Sequence, residues 1–229
     1  DFRSANGIYS MLGEYNLPRP ESMFDLDYFR ADPSPFFKFC RHLLPGKFEP
    51  SLTHHFVRLL AHKGRLLRNY TQNIDGLEKQ AGLAHDRCIQ CHGSFDTATC
   101  MRCQRRYDLA HIRETLEAQQ TPACLTCGGV VKPDIIFFGE PLGNKFVHAL
   151  VSDEHEVDLV ISMGTSLKVA PVSNIIEWVP RTVPQILINR EVVGRPNEFD
   201  VELLGDCDEI VLELSRRLGW AAELPAPRV

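Results

Sequence analysis

From residue 51 onward the chain alternates two hydrophobic rhythms. Ser51 precedes a stretch through His62 in which Phe56, Leu59 and Leu60 recur at helical spacing. Ser51 is therefore the expected N-cap of a helix, and Gly64 its expected stop. Residues 65–70 then read as a short strand and 75–81 as a short helix. The same grammar returns later. Residues 157–163 form a near-continuous apolar run, followed by Gly164-Thr165-Ser166 and a helix near 173–179. Residues 184–188 form a second apolar run, followed by polar Asn189-Arg190-Glu191, and 209–218 are amphipathic. Apolar strands alternating with helices predict an α/β fold with a parallel, doubly wound, Rossmann-like sheet. Ligands of such sheets bind past the carboxyl ends of the strands. Those ends here carry Gln72-Asn73, Gly164-Thr165-Ser166 and Asn189, all small or polar.

Residues 7–50 follow neither rhythm. They carry Phe24, Phe29, Phe36, Phe37 and Phe39 among several prolines. Short helices joined by loops are expected. Pro33 and Pro35 suit the start of a helix with Phe36, Phe39, Cys40 and Leu43 on one face, and Pro45-Gly46 suits its end.

The 229 residues suffice for one large domain with a core, or for a core plus a small satellite. The net charge of −5 argues against a chain built to grip nucleic acid phosphates, which would be basic. No run of 18 or more apolar residues is present to span a membrane, and no secretory signal is visible. An intracellular protein, cytoplasmic or nuclear, is expected, with no membrane or direct nucleic acid partner.

Cysteine usage changes the picture most. Six of the eight cysteines fall in three Cys-x-x-Cys pairs. Cys100-Met101-Arg102-Cys103 and Cys124-Leu125-Thr126-Cys127 flank residues 104–123. Paired thiolates on two tight turns suit tetrahedral Zn²⁺, and Gly128-Gly129 suits the second turn. Four thiolates leave no coordination position for water, so one structural zinc is expected. The third pair, Cys88-Ile89-Gln90-Cys91, precedes His92. Cys-x-x-Cys-His is also a haem attachment pattern, but haem would leave four cysteines unexplained. Cys88 and Cys91 read better as buried strand thiols, since cysteine packs as a small hydrophobe.

Three segments remain. They are Thr71-Gln72-Asn73-Ile74-Asp75-Gly76-Leu77, then His92-Gly93-Ser94-Phe95, and residues 131–140 ending in Phe137-Phe138-Gly139-Glu140. Each alone is weak: a lone His is more often structural, and an Asn-Ile-Asp loop can simply cap a helix. Together, in this order and around this cysteine spacing, they resemble the sirtuins from Asp1-Phe2-Arg3-Ser4 to Gly219-Trp220. Leu187-Ile188-Asn189-Arg190-Glu191 and Gly205-Asp206-Cys207 belong to the same set.

That resemblance implies NAD-dependent removal of acetyl or other acyl groups from protein lysines. The products would be free lysine, nicotinamide and O-acyl-ADP-ribose. By motif, His92 is the base that a ribose hydroxyl needs, and Asn73 and Gln72 hold the ribose hydroxyls. Asp75 faces the nicotinamide amide. Gly164, Thr165 and Ser166 meet phosphate and the adenosine ribose, Asn189 and Glu191 bind that ribose, and Cys207 lies by the adenine. Phe2 shields the reacting carbon and Arg3 meets phosphate, with Asp1, Ile74 and Arg190 also on the cofactor. Phe24, Ile135, Ile136 and Phe137 line an apolar lysine tunnel, which suits a side chain whose charge acylation has removed. An acetylated protein or peptide pairs by strand addition near Phe138, Gly139 and Glu140.

In the sirtuins a buried first strand, a Gly-Ala-Gly phosphate loop and a Gly-Ile-Pro precede Asp-Phe-Arg. They lie outside this sequence, so tight NAD binding is expected to need residues upstream of Asp1. The expected division is an NAD-binding domain of residues 1–5, 51–92 and 128–229, and a small domain of 6–50 and the zinc ribbon 93–127. Rival readings of the function are protein mono-ADP-ribosyl transfer and an acyl-lysine or NAD-metabolite binding module without turnover.

Overall fold

The computed structural model describes residues 7–195 and 198–226. Its helices are α1 (Leu26–Ala31), α2 (Ser34–Cys40), α3 (Leu52–His62), α4 (Leu77–Gln80), α5 (Leu109–Glu117), α6 (Asn144–Asp153), α7 (Ile175–Trp178) and α8 (Cys207–Arg217). Its strands are β1 (Asn69–Thr71), β2 (Cys88–Gln90), β3 (Gly93–Cys100), β4 (Arg106–Asp108), β5 (Val131–Ile135), β6 (Val160–Met163), β7 (Gln185–Asn189) and β8 (Val201–Leu204). The chain divides into two compact units, one of residues 1–47, 73–75 and 92–142, the other of 48–72, 76–91 and 143–229.

The second unit holds the parallel strands. β1 pairs with β2, and β6-β7-β8 form a three-stranded sheet, every pairing parallel. This is the α/β architecture that the apolar runs predict. β7 is central, and Leu187 and Ile188 are fully buried. β6 is half-buried rather than buried along its length, because among the described residues only β7 pairs with it. α3 begins as expected at Ser51. The Ser51 backbone N–H donates to His54 Nδ1 at 3.2 Å, the reciprocal half of a capping box. Thr53 donates from both N–H and hydroxyl to Asp208 Oδ1, at 2.8 and 2.6 Å, and so ties α3 to the start of α8. Gly64, at φ +66°, ends the helix. A buried polar cluster braces the same unit. Arg68 grips both carboxylate oxygens of Asp153 at 2.8 Å, and Tyr70 donates to Asp153 at 2.7 Å.

The first unit is built on an antiparallel sheet in the order β4-β3-β5. β5 pairs with β3 from Gly93–Ile135 to Cys100–Val131. Residues 128–142, which sequence reading groups with the NAD-binding part, therefore pack with the zinc ribbon in this division. Phe24, Phe29, Phe36 and Phe137 form an edge-to-face aromatic cluster with centroids 5.0–6.3 Å apart. α2 starts at the prolines as expected but ends at Cys40, five residues before Pro45. His42 and Leu43 N–H groups turn back to the Phe39 and Cys40 carbonyls, so tight turns replace the last helical turn.

Candidate active site and zinc centre

The metal centre begins where β3 ends. The Sγ atoms of Cys100, Cys103, Cys124 and Cys127 all lie within 4.8 Å of one another. The Cys100–Cys127 and Cys103–Cys124 sulfur pairs are 3.5 and 3.6 Å apart. Zn–S bonds of about 2.3 Å place the corners of a tetrahedron about 3.8 Å apart, so the four thiols fit one Zn²⁺. Gly128 takes φ +68°, and a Cβ on Gly129 would lie 2.8 Å from Arg102 Cβ and 3.1 Å from Cys100 Sγ. The second knuckle therefore requires both glycines. Arg102 and Cys103 N–H groups point at Cys100 Sγ, and Thr126 N–H at Cys124 Sγ. Tyr107, which the sequence did not flag, is 7% exposed and donates its hydroxyl to Cys124 Sγ at 3.1 Å. That bond pulls the Cys124 thiol down to about 5. The same hydroxyl accepts the Leu125 N–H at 3.0 Å.

The third cysteine pair is unlike this cluster. Cys88 opens β2, and the Cys91 N–H continues the ladder by donating to Thr71 O at 2.9 Å. Burial pushes the two thiols up to about 11 and about 12. The expectation of buried strand thiols holds in part: Cys88 lies on β2 but is only partly buried, and Cys91 is buried just past its end.

His92 sits in the turn between β2 and β3. Its carbonyl accepts the Ile136 N–H at 2.8 Å, so its backbone is tied to the segment after β5. Gly93 beside it has φ +73°, and a Cβ there would meet Asp134 O at 2.0 Å. No other residue fits, and the close approach explains why His is followed by Gly. Ile135, Phe137 and Phe24 are buried, while Ile136 keeps some exposed surface and Phe138 is 44% exposed. Asn73 is exposed and Ile74 and Asp75 half-buried in the loop after β1, with Ile74 packed against the core of the first unit.

The remaining candidate residues lie on the second unit, past the carboxyl ends of its strands. Gln72 Nε2 donates to Thr165 Oγ1 at 3.2 Å, and that oxygen also accepts the Leu167 N–H at 3.1 Å. Gly164 follows β6 at φ +58°, and a Cβ there would sit 3.8 Å from Cys207 Sγ. Cys207 Sγ in turn lies 3.4 Å from Ile188 O. Asn189 is buried at the end of β7 and donates to Glu191 O at 2.8 Å. Arg190 pairs with Asp206 at 2.9 Å, which draws it toward the N-cap of α8. Ser166 and Glu191 line a cavity of about 540 Å³ together with Leu167, Lys168 and Val193. Gly164, Thr165, Asn189 and Cys207 thus lie together past the carboxyl ends of β6 and β7, the side on which ligands of parallel sheets bind. Asp1, Phe2 and Arg3 lie outside the described residues.

With this geometry, comparison with known proteins is informative. A family model described as "Sir2 family" matches residues 1–171. The chain belongs to the Sir2 family. It is similar to "NAD-dependent deacetylase sir2D" of Dictyostelium discoideum, 49% identical over 224 residues that cover 96% of this chain and 41% of that protein. It is 51% identical over 226 residues to "NAD-dependent protein deacetylase sirtuin-1" of Homo sapiens, covering 96% of this chain and 30% of that one. "NAD-dependent histone deacetylase sirtuin-1" of Drosophila melanogaster is 45% identical over 244 residues, 95% of this chain and 29% of its own. The chain thus spans well under half the length of these Sir2-family relatives. Within this Sir2-family chain, no described helix is long and apolar enough to cross a membrane.

Proposed function

We propose that this chain carries the catalytic core of an NAD-dependent protein-lysine deacetylase. One observation carries the reading most directly. The His92 carbonyl is bonded to the Ile136 N–H, so the backbone that carries the His92 side chain is tied to the segment proposed to receive the acyl-lysine. Relatives named as NAD-dependent deacetylases, one of them a histone deacetylase, support the same reading.

NAD as co-substrate would supply an electrophilic ribose carbon and a nicotinamide leaving group. The chain's own residues would do the rest. His92 takes the proton of a ribose hydroxyl as it attacks, the task of a base whose ordinary pKa lies near neutrality. Asn73 and Gln72 hold ribose hydroxyls, and Asp75 faces the carboxamide of nicotinamide. Gly164, Thr165, Ser166, Asn189, Arg190, Glu191 and Cys207 carry the adenosine half. Gly164 supports this role, since its φ of +58° gives a left-handed turn at the strand end that favours glycine. Ile135, Ile136, Phe137 and Phe24 surround the acyl-lysine stem, and the peptide backbone adds along Phe138, Gly139 and Glu140. Acetylated proteins of the cytoplasm or nucleus, histones among them, are the proposed substrates.

The test is turnover of an acetyl-lysine peptide by His92→Ala in a chain extended upstream of Asp1 by the Gly-Ala-Gly phosphate-loop segment. Loss of a general base lowers kcat by about a hundredfold to ten-thousandfold, while zinc content and thermal unfolding stay at the parent values. Near-normal release of O-acetyl-ADP-ribose from the variant would refute the role of His92. Transfer of ADP-ribose to protein in place of deacetylation would refute the reaction class.

A further inference from the structure

β5 carries a lysine inside an otherwise apolar core. Lys132 is 7% exposed and sits opposite Thr99 of β3. Its ammonium donates to Ile135 O at 2.7 Å and to Pro133 O at 3.3 Å. It pairs with Glu140 Oε2 at 2.8 Å and lies 4.4 Å from the centroid of the Phe137 ring. An ammonium has three protons, and these three oxygens account for all of them. Glu140 does a second job. Its Oε2 also accepts the Phe137 N–H at 2.7 Å, and its own N–H donates to Phe137 O at 3.0 Å. The turn 137–140 is therefore closed twice, once by backbone and once by a carboxylate that Lys132 holds.

The outer residue of that turn is anchored as well. The Phe138 N–H donates to Phe24 O at 2.8 Å, and its carbonyl accepts the Leu26 N–H at 3.0 Å. Both backbone groups of Phe138 are thus committed to the segment that starts α1, and Gly139 follows at φ +93°. Burial of an ion pair is not by itself a source of stability, because an apolar pair of the same volume serves a core equally well. What Lys132 and Glu140 supply is a second closure of the turn, at the Phe137 N–H, beside the backbone bonds that already hold Phe138.

We propose that Lys132 is a positioning residue for the protein substrate: through Glu140 it holds the 137–140 turn in the shape that pairs with an acyl-lysine peptide. It sets peptide affinity and leaves the chemical step alone. The inference rests on the deacetylase reading above, which places the peptide along this turn. A strand-adding peptide binds through backbone groups, here those of Gly139 and the Glu140 carbonyl beside the anchored Phe138, so the geometry in which the turn presents them determines its affinity.

The experiment compares the parent chain with Lys132→Met, a chain of similar length without the charge. The KM for an acetyl-lysine peptide is expected to rise about tenfold with kcat within about twofold, the pattern of lost ground-state binding. The KM for NAD and the zinc content are expected to stay unchanged. Amide exchange at Phe137 provides a second readout, expected to quicken at least tenfold. Should Lys132→Met lose zinc, Lys132→Gln, which keeps a donor for the carbonyls and removes the charge, decides by the same peptide KM and exchange measurements. An unchanged peptide KM, or a fall in kcat alone, overturns the proposal. Absence of deacetylation in the parent even when it is extended upstream of Asp1 refutes the functional reading instead, and Phe137 exchange then still decides whether Lys132 holds the turn.

Discussion

Two regions of this chain carry the same Cys-x-x-Cys pattern and reach opposite ends. In the zinc ribbon the residues between each pair turn. Gln104 and Gly128, directly after the two pairs, both take left-handed backbone angles, and four sulfurs gather within 4.8 Å. At Cys88 and Cys91 the intervening residues run extended along β1. Three strand residues span about 10 Å, and an odd spacing sends the two side chains to opposite faces. One pair cannot then share an ion. The chemistry follows the backbone. In the ribbon, N–H groups and the Tyr107 hydroxyl point at the Cys100 and Cys124 sulfurs and favour thiolate there. In the strand, burial disfavours thiolate. Spacing proposes a ligand set, and the turn between the cysteines decides it.

The largest effect should come from breaking the ribbon. Replacing Cys100 and Cys124 together with Ser removes one ligand from each knuckle. Two remaining thiolates do not hold structural zinc, whose binding free energy is part of folding free energy, about 10–16 kcal/mol in small zinc domains. Zinc measured by atomic absorption should fall from one equivalent to none. Limited proteolysis should then cut within residues 93–130. Full zinc retention in the double variant would remove the tetrathiolate assignment altogether.

A smaller effect should follow from Tyr107→Phe, which keeps the ring and deletes the hydroxyl. Cys124 loses a donor to its sulfur and Leu125 N–H loses its acceptor. Groups that hydrogen-bond to metal ligands typically contribute about tenfold to a hundredfold in metal affinity when they are removed. Competition against a chromophoric chelator should show zinc leaving the variant by that factor more readily. Affinity within twofold of the parent would mean that the hydroxyl serves packing only.

Tyr107 also marks where the sequence stops being legible. Helix α3, its Ser51 cap and the Gly64 stop could be read locally, because capping and periodicity are local. The same holds for β7 and α8. The strand expected over 65–70 begins instead at Asn69, since the Leu66 and Leu67 carbonyls accept from the Arg87 guanidinium rather than from a neighbouring strand. The helix expected near 173–179 splits into a 3-10 turn, Val172–Asn174, and α7. Tyr107 gave no signal, and Lys132 stood in the 131–140 motif without a role of its own. A Tyr followed by Asp, and a Lys before Pro, are ordinary in a chain. Their meaning depends on Cys124 and Glu140, which the fold brings to them. Of the candidate residues, the cysteines were legible because four equal side chains at fixed spacing are rare. Gln72 with Thr165 and Gly164 with Cys207 were grouped only by family motif, and their contacts are long in sequence.

The smallest effect, and the sharpest test of the contrast, concerns the strand pair. Cys88→Ser and Cys91→Ser should each leave one equivalent of zinc in place, because neither sulfur belongs to the cluster. Their costs should differ. Cys88 is only partly buried and takes a weak bond from Asn69 Nδ2 at 3.6 Å, which a serine oxygen can accept. Stability there should change by less than about 0.5 kcal/mol. Cys91 is 1% exposed, and its sulfur faces Ile89 O at 3.6 Å. A hydroxyl at that site is shorter and must desolvate, so urea unfolding should show a loss of about 1–2 kcal/mol. Thiol reactivity supplies the pH arm. A folded-state thiol held at about 11 or about 12 is almost wholly protonated near pH 8, and alkylation requires thiolate. With zinc bound, iodoacetamide at pH 8 should therefore label neither Cys88 nor Cys91 at an appreciable rate. Labelling of Cys88 should quicken about tenfold per pH unit up to about 11, where its thiolate fraction stops rising. Rapid labelling of both at pH 8, or loss of zinc from either serine variant, would place these thiols in a reactive or metal-binding role and erase the distinction between the two regions.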